Sequence, residues 1–238
     1  MLLAAFACPA GAQNQFETDV ITTSGGDLKI TFIGHGTLMM VYNDMVIHID
    51  PWSVVADYSK MPKADIALLT HNHTDHFDPK ALNHILNDES ALVYTQQCAD
   101  SFPGGVVMRN GMSWKLKGIH IEAVPAYCLI PRDDPRSEPH TKDECNGYIL
   151  TFGDKRVYIV SETENIPELK EVSDIDVAFI AMDGIFSLSP EEAVGAIRAF
   201  NPKVVYPYHY ADADLSPFVD AFKNDSETEV RVRDMKIK

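Results

Sequence analysis

Basic residues are scarce in this chain, and their scarcity limits the partners it can have. Lysine and arginine together number 20 against 35 aspartates and glutamates, so the formal net charge is −15 over 238 residues. A nucleic-acid partner requires a basic face that meets the phosphates, and this composition argues against one. The acidic residues are spread along the chain, which is typical of a well-solvated surface.

Long apolar runs and a full set of cysteine pairs are also missing. Beyond the N-terminus no run reaches the roughly 20 apolar residues of a membrane-spanning helix, so we expect no membrane span. Without the N-terminal segment the cysteines are Cys98, Cys128 and Cys145, an odd set that allows at most one disulfide. The expected partner is a small-molecule substrate, and the sequence leaves the oligomeric state open.

The N-terminal segment has the features of a leader. Residues 1–12 are apolar and end in Ala10-Gly11-Ala12, which resembles a secretory signal cleaved before Gln13, although the segment is short and lacks a basic start. We therefore expect export to a bacterial periplasm or secretion; if the segment is not a signal, the protein is cytoplasmic. Residues 13–26 are polar and are expected to lead into a single domain over residues 27–238.

The most informative motif is His71-Asn72-His73-Thr74-Asp75-His76, which directly follows the apolar run over residues 66–70. A buried strand that ends in such a cluster delivers its side chains to the rim of a sheet, where solvent and substrate reach them. Imidazole and carboxylate together suit zinc or a similar divalent ion. A histidine-rich surface loop is the alternative, but such loops seldom follow a hydrophobic strand directly. The motif therefore predicts a metal site.

This motif resembles the His-x-His-x-Asp-His sequence with which the metallo-β-lactamase superfamily holds one or two metals. The resemblance covers nearly the whole chain after the first two dozen residues. Residues 33–37 (Ile-Gly-His-Gly-Thr) and 49–52 (Ile-Asp-Pro-Trp) are similar to the opening of the branch that contains ascorbate-6-phosphate lactonase-like hydrolases and N-acylphosphatidylethanolamine phospholipase D. Residues 204–210 (Val-Val-Tyr-Pro-Tyr-His-Tyr) resemble its closing motif, which supplies the last histidine.

The order of predicted elements agrees with the fold that this resemblance implies. Short strands dominate both halves of the chain, and helices are expected after Asp78-Pro79, Ser189-Pro190 and Ser216-Pro217, where a capping residue precedes a proline. Residues 131–144 have no apolar period and are expected to form a long loop. The fold class is therefore α/β (α+β): an αββα sandwich of two mixed β-sheets flanked by helices.

The resemblance also implies a division of the metal ligands between two sites. It assigns His71 and His73 to site one, and Asp75, His76 and His209 to site two. Alternate residues of an extended segment share a face, and a turn after Thr74 re-aims the next two side chains.

Glu162 is a departure from the family pattern. The superfamily places a bridging aspartate after a strand, and here Glu162 stands at that position within Ser161-Glu162-Thr163. A glutamate can bridge two metals, and its extra methylene lengthens the reach by about one C–C bond. The alternative is that Glu162 is an ordinary loop acid.

The third ligand of site one is also unusual, because Cys128 occupies the position where relatives carry histidine or asparagine. A thiolate is a good zinc ligand at about 2.3 Å. The alternatives are that His140 enters from the predicted loop, or that site one keeps only two protein ligands.

Four further residues are expected to support the metals or to face the substrate. A metal-bound imidazole usually donates its other N–H to a carboxylate, and Asp50 at the end of a strand suits that role. His35, in a Gly-His-Gly turn, is expected to belong to the same support or to face substrate. Tyr127 and Tyr208 stand beside ligand positions and could donate to a developing oxyanion, or pack in the core.

The predicted function is that of a metal-dependent hydrolase. One or two Zn²⁺ ions, with Mn²⁺ or Fe as alternatives, would lower the pKa of a water that attacks an ester, a lactone or a related bond. Asp75 could hold and orient that water or move its proton. One alternative is a phosphodiesterase similar to phospholipase D. The other is a non-catalytic binding protein of the same fold that has lost its metal.

Overall fold

The computed structural model describes residues 16–129 and 139–237, which form two β-sheets of seven strands each. The first sheet contains β1 (Glu17–Thr23), β2 (Gly26–Gly34), β3 (Thr37–Tyr42), β4 (Met45–Ile49), β5 (Ile66–Leu68), β6 (Ala91–Tyr94) and β7 (Val106–Val107). The second contains β8 (Ser113–Leu116), β9 (Ile119–Cys128), β10 (His140–Phe152), β11 (Lys155–Ile159), β12 (Val177–Ala181), β13 (Val204–Tyr208) and β14 (Glu229–Val230).

The two sheets repeat one topology. In the first sheet, β1 to β4 pair antiparallel and β4 to β7 pair parallel. In the second sheet, β8 to β11 pair antiparallel and β11 to β14 pair parallel. Each sheet therefore ends in a run of parallel strands whose carboxyl ends lie at one edge.

Helices occupy corresponding crossovers of the two sheets. α1 (Pro79–Ile85) and α2 (Gln96–Ser101) connect the parallel strands of the first sheet, and α3 (Pro190–Phe200) and α4 (Ser216–Phe222) connect those of the second. Short 3-10 helices occupy the crossovers that precede β5 and β12. Together with the two mixed sheets, these helices confirm the αββα sandwich predicted from the sequence.

Successive side chains of the buried strands point to opposite faces of the sheet and so contribute to two different hydrophobic clusters. On β5 the side chains of Ile66 and Leu68 join the large cluster between the sheets, whereas Ala67 belongs to the cluster that covers α1. This period of two is what an extended segment buried on both faces requires. Both faces of the strand that precedes the metal motif are therefore packed against hydrophobic side chains.

The predicted helix starts at Asp78 and Ser189 are present. Asp78 accepts hydrogen bonds from the backbone N–H groups of Lys80 and Ala81, and Pro79 opens α1. Ser189 and Glu192 form a reciprocal capping box at the start of α3. Both caps satisfy backbone donors that a helix leaves unpaired at its N-terminus.

Four features differ from the sequence expectations, and the first is that Ser216, expected to cap the last helix, is the first residue of α4 and does not cap it. Residues 17–23, expected in the leader, form β1, a strand that pairs with β2 along its whole length. It lies at the edge of its sheet, where polar residues are tolerated on the exposed face. Residues 140–144, expected in the loop, begin β10, and α2 was not predicted because six residues are too few to show a helical period.

The structure does not describe all the segments for which the sequence makes a prediction, but it does describe the cysteines and the helices. The proposed signal segment (residues 1–12) and most of the predicted loop are among the residues that are not described. Cys98, Cys128 and Cys145 are all buried, and the one disulfide that the sequence allowed does not form among them. Within residues 16–129 and 139–237, no helix is long and apolar enough to cross a membrane.

Candidate metal centre

Two groups of donor side chains meet at the edge where the parallel strands end. In each group the donor atoms lie within 4.8 Å of one another, and nearly all members are buried. The first group contains His71, His73, His140 and Glu162, and the second contains His35, Asp75, His76 and His209.

The topology explains why residues so distant in sequence come together. The motif over residues 71–76 follows β5, Glu162 follows β11, and His209 follows β13. Carboxyl ends of parallel strands meet at one edge of a sheet, and ligands characteristically bind there. The repeated topology places one such edge of each sheet on the same side of the sandwich.

Glu162 lies between the two groups. Its Oε1 is 3.1 Å from His76 Nε2 and 3.0 Å from His209 Nε2, in the second group. Its Oε2 is 3.4 Å from His71 Nε2, in the first group. The preceding Ser161 has φ of 67°, a left-handed conformation that turns the chain sharply after β11. The two oxygens of one carboxylate therefore face different imidazole groups.

The buried polar atoms of this centre fit a bound cation. His71 Nε2 and Glu162 Oε2 are buried and have no hydrogen-bond partner in the described part of the chain. Buried polar groups are nearly always paired, so this pair of atoms calls for a further partner between them. Imidazole nitrogen and carboxylate oxygen suit zinc, iron or manganese. The residues present therefore fit the divalent metal that the fold implies.

The protonation states agree with that fit. Burial lowers the pKa of His71 to about 3, which keeps its imidazole neutral, the form that binds metal. Burial alone would raise the pKa of Glu162, but the imidazoles of His71 and His209 outweigh it and hold that pKa well below its usual value. Glu162 is therefore a carboxylate at neutral pH.

Asp75 is the most accessible donor of the second group, with a side chain that is 25% exposed. Its Oδ2 accepts a hydrogen bond from His35 Nε2 at 2.8 Å and lies 3.3 Å from His209 Nε2. His76 Nε2 is 3.7 Å from the same oxygen. One oxygen of Asp75 thus faces all three imidazoles of its group.

Asp50 orients His76 through a buried hydrogen bond. The carboxylate is completely buried, accepts hydrogen bonds from Thr70 N and Thr70 Oγ1, and accepts another from His76 Nδ1–H at 2.8 Å. This bond fixes the tautomer of His76 and directs its Nε2 at Glu162.

The structure brings His140 to the first group and leaves Cys128 out of both groups. The two residues pair across β9 and β10, and His140 Nε2 lies 3.1 Å from His73 Nε2. Cys128 Sγ instead lies 4.0 Å from Glu164 Oε2. His140 therefore takes the place in the donor group that the sequence offered to Cys128.

The two tyrosines differ in their surroundings. The Tyr127 hydroxyl donates to Glu168 Oε2 at 2.8 Å, which turns it toward the 3-10 helix before β12. Tyr208 is fully buried in the core, where its ring meets Phe179 edge-on. The Tyr127 hydroxyl is therefore engaged by Glu168, whereas burial and the charges of Asp50 and Glu162 hold the pKa of Tyr208 well above its usual value.

Asp183 is a residue that the sequence analysis did not identify. Its Oδ2 lies 3.5 Å from His209 Nδ1, and its side chain is 4% exposed. Its Oδ1 accepts the backbone N–H groups of Ile185, Phe186 and Ser187. The same carboxylate thus holds the turn after β12 and faces His209 at the distance of an ion pair. Met-Asp-Gly is an unremarkable turn sequence, and only its place after a parallel strand could have pointed to it.

Comparison with known proteins identifies the family. A family described as the Beta-lactamase superfamily domain matches residues 29–209, a span that contains every member of the two donor groups. The chain therefore belongs to the metallo-β-lactamase superfamily.

Individual relatives agree with this family. A UPF0173 metal-dependent hydrolase from Natranaerobius thermophilus is 30% identical over 210 residues, which cover 83% of this chain and 90% of the relative. A solved structure from Parabacteroides distasonis, named for a metal-dependent hydrolase, is 40% identical with a TM-score of 0.86, and the match covers 92% of this chain and 99% of that one. A metallo hydrolase from Ignicoccus hospitalis shares the fold, at 24% identity and a TM-score of 0.71, with 87% of this chain and 95% of that chain covered. The protein is a metal-dependent hydrolase of the metallo-β-lactamase fold.

Proposed function

We propose that the protein hydrolyses an ester or lactone bond at a centre of two divalent ions bridged by Glu162. The observation that carries this proposal is the division of the Glu162 oxygens between the two imidazole groups. His71, His73 and His140 would hold the first ion, and Asp75, His76 and His209 the second. The proposed metal is zinc, with manganese and iron as the alternatives that this donor set also suits.

The metal and the protein contribute different parts of the chemistry. The bound ions supply Lewis acidity, which lowers the pKa of a water and polarises the scissile carbonyl. Asp75 is the donor that solvent reaches most easily in its group, so its carboxylate accepts a hydrogen bond from the attacking water and orients it. Asp50 keeps His76 in a fixed orientation through a hydrogen bond, and Asp183 places a negative charge 3.5 Å from His209 Nδ1, so that the site is arranged before the reaction.

The surroundings of the centre favour a neutral acyl substrate. In residues 16–129 and 139–237, no lysine or arginine forms an ion pair with a member of the donor groups. The neighbouring side chains are aromatic: the Phe186 ring lies 6.0 Å from the His73 ring, and the Trp52 ring lies 5.0 Å from the His35 ring. A phosphodiester carries a charge that the net charge of −15 opposes.

A substrate panel tests this proposal. Metal-free protein is loaded separately with zinc, manganese and iron and is offered a neutral lactone, an aryl ester, a β-lactam and a bis-aryl phosphodiester. We expect the lactone or the ester to be hydrolysed fastest, with the rate lost on chelation and restored by metal. The exposed His120, whose side chain is 46% exposed, gives a control variant, His120→Ala, that keeps the rate. Hydrolysis of the phosphodiester alone would favour the phospholipase D-like alternative instead.

A further inference from the structure

His35 is held in an unusual backbone conformation against the second donor group. Its φ is 54°, in the left-handed region that few residues other than glycine adopt. Its N–H donates to the Met235 carbonyl at 2.6 Å, and its own carbonyl accepts the N–H of His209 at 2.9 Å. Two backbone hydrogen bonds thus fix His35 directly beside His209, and their partners belong to distant parts of the chain.

The next residue shows how closely this segment approaches the imidazoles. A Cβ on Gly36 would lie 2.9 Å from His76 Cε1 and 3.3 Å from His209 Cδ2. Only glycine permits that approach without displacing a ring. The His35 ring itself lies 3.8 Å from the His209 ring, measured between centroids. The turn over residues 34–36 is therefore built around the second donor group.

The donor distances match a shared cation. Ligands at about 2.0–2.1 Å from one ion lie about 2.9 Å apart at right angles and about 3.3 Å apart at tetrahedral angles. Around Asp75 Oδ2, the Nε2 atoms lie at 2.8 Å for His35, 3.3 Å for His209 and 3.7 Å for His76. These values bracket the separation that a metal imposes. His35 is only 8% exposed, so its ring is directed inward.

We propose that His35 is an additional ligand of the second ion. This inference rests on the two-ion centre of the proposed function. The second ion then has five protein donors, which are His35, Asp75, His76, His209 and Glu162 Oε1, whereas the first has four, which are His71, His73, His140 and Glu162 Oε2.

This difference separates the roles of the two ions. Five donors exceed the four of tetrahedral zinc, so the second position favours an ion that accepts five or six ligands, such as Mn²⁺ or Fe²⁺. With five protein donors the second ion would be the more tightly held, and the first, with four, would keep more coordination positions for water or substrate.

The alternative role for His35 is that of a hydrogen-bond donor to Asp75 alone, and two variants distinguish it from a ligand. His35→Gln retains an N–H donor that can reach a carboxylate but is a poor metal ligand. His35→Asn does the same and also tolerates the left-handed backbone, so that it folds where a bulkier residue is strained. His120→Gln, at an exposed position of β9, is the matched control.

The experiment measures Mn²⁺ binding to metal-free protein in competition with a chelator. A Trp114→Phe background leaves Trp52, 5.0 Å from the His35 ring, as the single tryptophan, so quenching of its emission identifies the step at the second ion. We expect wild type to bind two ions. We expect both His35 variants to weaken the step that quenches Trp52 at least tenfold, and to leave the other step within about twofold. His120→Gln should bind as wild type does.

Each outcome decides the inference. Unchanged affinity for both ions in folded His35→Gln and His35→Asn protein would show that His35 only donates to Asp75. A weakened step that does not quench Trp52 would place His35 at the other ion and would also overturn the inference. Binding of a single ion by wild type would instead contradict the two-ion centre itself, whatever the variants do.

Discussion

Glu162 shows what one methylene group changes at this centre. An aspartate at the end of the same strand would hold its carboxylate closer to the backbone. Glu162 extends past His71 far enough to place Oε1 near His76 and His209 while Oε2 stays near His71. The longer side chain is therefore compatible with a bridge in which each oxygen serves one ion, and the departure from the family pattern does not indicate loss of the metal.

His73 is the motif residue whose removal should separate function from folding. Its side chain is 22% exposed, so truncation leaves no large cavity in the core. We predict that His73→Ala abolishes hydrolysis and lowers the metal content by at least one equivalent. Metal analysis and a thermal melt of the metal-free protein measure the two effects. A variant that kept its full metal content and rate would refute this role.

Asp183 should act through His209. In Asp183→Asn an amide replaces the carboxylate that faces His209 Nδ1, so the negative charge 3.5 Å from this imidazole is lost. Loss of such a partner typically weakens metal binding by about 10–100-fold. We predict a decrease of that order in metal affinity, while the backbone contacts of Oδ1 preserve the turn. Equal metal affinity in wild type and variant, measured by chelator competition, would show that Asp183 only supports the turn.

The residues of the centre differ in how far the sequence could predict them. The four donors of residues 71–76 are adjacent and follow a buried strand, so a local pattern reveals them. His140 begins β10 after a polar stretch without period, and nothing local distinguishes it from Cys128 across the strand pair. Asp183 reaches the centre only because β12 lies between β11 and β13, which is a property of the folded sheet.

At the scale of the elements, short helices with strong caps fix the ends of the parallel strands. α3 begins with the capping box of Ser189 and Glu192 and packs on the second sheet through Ala193, Ala196 and Ile197. The cap lies close to Asp183 in sequence, and its two reciprocal hydrogen bonds join Ser189 and Glu192. We therefore predict that the helix start and the metal centre are separable by mutation.

Ser189→Ala tests that separation. Loss of an N-cap side chain costs about 1 kcal/mol of stability. We predict a lower free energy of unfolding by that amount, with metal content and hydrolysis unchanged. Urea unfolding measures it, with Ser113→Ala on the exposed face of β8 as the control that should not lose stability. A loss of metal in Ser189→Ala would contradict the independence of cap and centre.

Length and burial separate the elements that the sequence predicts from those that it does not. Strands such as β5 and β12 are buried throughout, so their apolar runs mark them. β1 exposes most of one face at a sheet edge, and its mixed composition looks like a polar leader. α2 buries only Cys98 and has no side-chain cap, so neither its period nor its start is visible.

At the scale of the whole molecule, one buried histidine outside the metal centre makes the free energy of unfolding depend on pH. His48 is fully buried, its Nε2–H donates to the Pro62 carbonyl, and burial lowers its pKa to about 4. In the unfolded chain the pKa is about 6.5. Because the folded pKa is depressed, His48 supports the fold above pH 6.5, and this support is lost as the pH falls from 6.5 to 4.

His48→Gln isolates this contribution, since glutamine can donate to the same carbonyl and does not titrate. A shift of this size corresponds to about 3 kcal/mol. We predict that metal-free wild type loses about 3 kcal/mol more stability than His48→Gln between pH 7 and pH 4. Urea unfolding at both pH values measures the difference. Parallel losses in the two proteins would show that His48 does not contribute.

The central claim is that one glutamate joins two metal ions, and the number of ions bound per chain tests it most directly. Divalent metal is titrated into metal-free wild type, Glu162→Asp and Glu162→Gln, and the bound equivalents are counted. A carboxylate bridges two cations and a neutral amide does so poorly, so the account predicts two equivalents for wild type, retention in Glu162→Asp, and loss of at least one in Glu162→Gln. Equal metal content in all three proteins would contradict it.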